Sequence, residues 1–60
     1  MTAKETEKMI LSAGWRLHSI TGSHHHYKHP EKSGRVTIPF HGGDIPKGTL
    51  NSIMKQAGLK

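Results

Sequence analysis

Residues 13 to 29 read AGWRLHSITGSHHHYKH, and the spacing rule of the chain changes inside them. Up to Ala13, the side chains suited to burial recur at three and four. Ala3, Thr6, Met9, Ile10 and Ala13 share one helical face, while Lys4, Glu7 and Lys8 point away from it. From Trp15 onward the period is two. Trp15, Leu17 and Ser19 alternate with Arg16, His18 and Ile20, the pattern of a half-buried strand. Gly14 stands at the switch, where a left-handed C-terminal cap belongs. Thr2 followed by Glu5 is a capping box, so the helix should start at Ala3 and stop near Ala13.

Working outward, Thr21-Gly22-Ser23 supplies a turn, and a second strand is expected from His24 to His29. Residues 30–34 (PEKSG) make the next turn, and Val36 and Ile38 mark a third strand that Pro39 ends. Connections this short imply an antiparallel meander. After the loop FHGGDIP (40–46), Leu50, Ile53, Met54 and Ala57 form the apolar stripe of a second helix capped at Gly58. Both helices need a surface for their stripes, and one face of the sheet offers it. The expected fold is a two-layer α+β domain, α-β-β-β-α, with both helices on one face of a three-stranded antiparallel sheet.

Sixty residues allow a single domain, 1–60, with an economical core. The grouped apolar residues, Leu17 among them, argue against disorder. With no cysteine there is neither a disulfide framework nor a thiolate metal site. The run MIL at 9–11 is too short for a signal peptide or a membrane span, which points to the cytoplasm. Nine lysines and arginines against four acids give a formal charge of +5, and six histidines can add to it. Such a body favours a polyanionic partner, either nucleic acid or an acidic protein.

Four fragments, in order, carry a family resemblance. They are AGW (13–15), GSHHHY (22–27), VTIPFH (36–41), and PKGTL (46–50) with QAGL (56–59) closing the last helix. Together they resemble the HicA toxins of HicA–HicB toxin–antitoxin pairs over essentially the whole chain. The resemblance implies a fold similar to a double-stranded-RNA-binding domain. It implies a metal-independent endoribonuclease that cleaves messenger RNA, needs no cofactor and is silenced by a HicB antitoxin. It also places the catalytic histidine of the family's glycine–serine–histidine motif on His24. The dense lysine cluster usual at the last helix of that RNA-binding fold is reduced here to Lys47 and Lys55. Binding of a long duplex therefore does not carry over.

The residues allow that chemistry on their own terms. Metal-free RNA cleavage uses the ribose 2′-hydroxyl as nucleophile, so it needs a base, an acid and cationic donors; imidazole suits both proton transfers. His24 follows Gly22-Ser23, where a glycine lets backbone approach a phosphate and Ser23 can donate to it. It is expected open to solvent at the sheet edge. Alternation puts His26 and Lys28 on its face, with His25, Tyr27 and His29 opposite. Gly22, Ser23, His26, Lys28 and Arg35 are the candidate RNA contacts, joined by Lys47 at a helix start. Spacing leaves the second proton transfer open between His26 and His41. As bare strand positions, His25, His26 and His29 read as solvated, and Tyr27 and Trp15 as core. Two imidazoles on one face fall short of the ligands a zinc site wants. The contrasting reading is a non-catalytic RNA-binding module on the same basic face; a DNA-binding regulator lacks its helix-turn-helix signature.

Overall fold

The computed structural model describes residues 1–40 and 42–59. Its elements run α1 (Ala3–Ser12), β1 (Arg16–Thr21), β2 (His24–Lys28), β3 (Val36–Pro39) and α2 (Lys47–Gln56), the expected α+β order.

Both halves of the capping box close at the start of α1. The Thr2 amide donates to Glu5 Oε1 at 2.8 Å, and the Glu5 amide donates to Thr2 Oγ1 at 3.2 Å. Caps of this kind stabilise a helix by about 1 kcal/mol. The buried stripe is Ala3, Thr6 and Ile10. Thr6 tolerates full burial because its hydroxyl donates to the Thr2 carbonyl at 2.9 Å. Met9, expected on that stripe, is instead 37% exposed. At the other end, the Trp15 amide reaches the Ile10 carbonyl and the Gly14 amide reaches that of Leu11. This paired pattern is a Schellman motif, and it needs the left-handed φ of +99° that Gly14 supplies. Leu59 and Gly58 close α2 onto Met54 and Lys55 in the same way.

The sheet has the order β1-β2-β3, antiparallel throughout. Cross-strand partners share a face, and Tyr27 pairs with Val36 while His25 pairs with Ile38. Tyr27, Val36 and Ile38 are all fully buried in the cluster that includes Ile10, Trp15, Ile53 and Ala57. Both helices pack on β3, so they cover this inner face together and leave the other face bare. Trp15 Nε1 donates to the Ala57 carbonyl at 3.1 Å, tying the strand entry to the end of α2.

β1 departs from the expected half-buried alternation, because all six of its residues are exposed. The register slips between Leu17 and Ser19, a bulge at His18. Leu17 therefore lies opposite Tyr27 and Ile20 opposite His25, both on the inner side. They remain 48% and 54% exposed, since the helices pack on β3 at the opposite edge of the sheet.

Candidate active site

The bare face of the sheet is built in cross-strand rows. His24 lies between Thr21 and Pro39, His26 between Ser19 and Thr37, and Lys28 opposite Arg16. Same-face residues along a strand stand about 6.6 Å apart, so the two imidazoles are neighbours and Lys28 continues the line. His24, Lys28 and Arg35 are exposed, the last immediately before β3. β2 is the central strand, so His24 is not on an edge strand as expected. It is reachable because it opens β2 at the rim, straight after the β1–β2 turn. Gly22 turns the chain there at φ +58°, and a side chain at that position would meet no atom within 4 Å. The half-buried Ser23 accepts the Phe40 amide on its carbonyl at 2.6 Å, which ties this turn to the end of β3. His41 lies outside the described residues.

His25, His26 and His29 separate by role, and none of the three is simply solvated. His26 is half-buried, with Nδ1 3.0 Å from Thr37 Oγ1. His25 turns to the inner side and stacks on Phe40, ring centroids 3.8 Å apart and planes 14° from parallel. Its Nδ1 is buried and has no hydrogen-bond partner among the described residues. His29 bridges two backbone groups. Its Nδ1 accepts the Glu31 amide at 2.9 Å, so Nε2 carries the hydrogen that the Ala13 carbonyl receives at 3.1 Å. Its ring also meets Trp15 edge-on, centroids 5.3 Å apart and planes at 69°. Tyr27 is core, and its hydroxyl donates to Glu7 Oε2 at 2.5 Å. Burial, then that hydrogen bond and the carboxylate's charge, push its phenol well above the ordinary value.

The cations divide too. Arg16 Nη1 donates to the carbonyls of Leu11 at 3.2 Å and Trp15 at 2.8 Å, so it serves the end of α1. Lys47 is the exposed first residue of α2, on the helix layer and outside the strand rows; no side chain caps that helix start. Among the described residues, no three of His, Cys, Asp and Glu come together to hold a metal ion.

Two features escaped sequence reasoning. The bridge made by His29 depends on residues 16 positions apart and left no local signal. Alternation puts Thr37 and His26 on the same bare face, but their pairing needs the register of β2 on β3.

No helix among the described residues is long and apolar enough to cross a membrane. Comparison with curated proteins finds no match. A model of the HicA toxin of bacterial toxin–antitoxin systems matches residues 3–59. That span takes in both helices and all three strands, and the chain belongs to the HicA toxin family.

Proposed function

We propose that the chain is a single-domain toxin acting in the cytoplasm as a metal-independent endoribonuclease on messenger RNA, silenced by a HicB antitoxin. The observation that supports it most is the position of His24. It is an exposed imidazole at the rim of a helix-free sheet face, beside an unobstructed glycine turn and in line with His26 and Lys28. His24 exchanges the proton of the attacking 2′-hydroxyl. Gly22 and Ser23 present backbone to the scissile phosphate, and Lys28 and Arg35 hold the flanking backbone. Lys47, on α2, adds positive field rather than a contact in the strand rows. The antitoxin acts by covering this face.

The test is His24→Ala. It should lower RNA cleavage by about a hundredfold or more and abolish growth arrest, with unfolding behaviour and antitoxin binding unchanged. Cleavage by the unaltered chain should persist in excess chelator. An RNA-binding module without chemistry would behave differently, losing little from that change and much from replacing Lys28 and Arg35.

A further inference from the structure

Building on the nuclease reading, we propose that His26 is the second proton-transfer group and that Thr37 is the residue that keeps it aimed. The two imidazoles lie on the same bare face in adjacent rows of the central strand, each flanked by short side chains. In-line cleavage puts the entering 2′-oxygen and the leaving 5′-oxygen on opposite sides of phosphorus. A base and an acid must therefore stand apart along the backbone, as neighbouring rows of one strand do.

The bond to Thr37 separates His26 from the other described histidines of the segment. A hydroxyl both donates and accepts. With Nε2 as the exchanging atom, Nδ1 keeps its hydrogen in the charged and the neutral ring alike, and the Thr37 hydroxyl accepts it in both, so the 3.0 Å contact survives the transfer. The ring keeps one orientation through a proton-transfer cycle. His29 has no such freedom, because a backbone amide and a backbone carbonyl fix its tautomer. His25 is stacked on Phe40 on the inner side.

The step balances with no further reagent. The 2′-oxygen bonds to phosphorus as its proton passes to His24. The phosphorus–5′-oxygen bond breaks, and the 5′-oxygen takes the Nε2 proton of His26. The products are a 2′,3′-cyclic phosphate and a 5′-hydroxyl end.

The experiment uses a short RNA that the unaltered chain cuts at a mapped linkage, and the same RNA with sulfur replacing the bridging 5′-oxygen there. A thiolate leaves without being protonated, so loss of the general acid is masked on the sulfur substrate. His26→Asn should cut ordinary RNA about a hundredfold more slowly and recover to within about tenfold of the unaltered chain on the sulfur substrate. His24→Ala should be slow on both. Thr37→Val should slow ordinary cleavage on the order of tenfold, with Thr37→Ser restoring it and the sulfur substrate indifferent to both changes. His26 would be excluded if His26→Asn cut ordinary RNA normally, if it were equally slow on both substrates, or if sulfur rescued His41→Ala instead. Full activity of His24→Ala on ordinary RNA would overturn the role of His24, and failure of the unaltered chain to cut any RNA would overturn the nuclease reading itself, outcomes separate from these. Should His26→Asn fail to fold, the Thr37 pair still decides, because Val failing to slow the reaction removes the positioning role.

Discussion

Gly14 shows how one missing side chain holds two elements in place. A Cβ at this position would stand 2.6 Å from Nε2 of His29, and the ring cannot yield without giving up its bonds to Ala13 and Glu31. The left-handed backbone alone costs a non-glycine residue about 1–2 kcal/mol. Gly14→Ala should therefore destabilise the chain by about 2 kcal/mol or more, measured by urea unfolding. Gly22→Ala meets open space and should cost only about 1 kcal/mol for its backbone angle. Tyr27 yields a second test. Its phenol is raised above its ordinary value near 10 by burial and by Glu7. A raised folded value means that the fold favours the protonated form. The stabilisation is complete below the unfolded value and is lost as pH rises through the folded one. Between pH 7 and pH 11, Tyr27→Phe should lose less stability than the unaltered chain, after losing about 1 kcal/mol at pH 7 with its bond to Glu7.

Among the elements, α1 rests on a carboxylate. Glu5 is held below its usual range by the Thr2 backbone amide first and the Thr2 hydroxyl second. Its contribution is present above the unfolded carboxylate value and disappears as pH falls through the lowered one. Thermal unfolding followed from pH 6 to pH 2 should show Glu5→Gln losing less than the unaltered chain. The helices were the most legible elements in the sequence. Capping box, apolar stripe and closing glycine are local features, and each acts where it stands. Spacing alone puts Met9 on the stripe, and it stays 37% exposed while Thr6 and Ile10 on the same stripe are fully buried. β1 was the least legible. Period-two reasoning assumes an unbroken ladder, and the bulge at His18 moves Ile20 to the side of Leu17. Nor does alternation tell which strand the helices cover; they pack on β3, and neither Leu17 nor Ile20 is buried.

At the scale of the molecule, the sheet divides the labour. Trp15, Tyr27, Val36 and Ile38 belong to the covered side, where removing a large side chain costs about 2–5 kcal/mol. His24, His26 and Lys28 lie on the bare side and support no core residue. The place of His24 on that side was legible from the motif and from alternation. Its neighbour's partner on β3 needed the register, a long-range fact. Because toxicity is assigned to one surface and cohesion to the other, a cell escaping the poison has two unlike exits. Damage to the covered side leaves no protein to find. Damage to the bare side, on the function proposed above, leaves an intact chain without its poison.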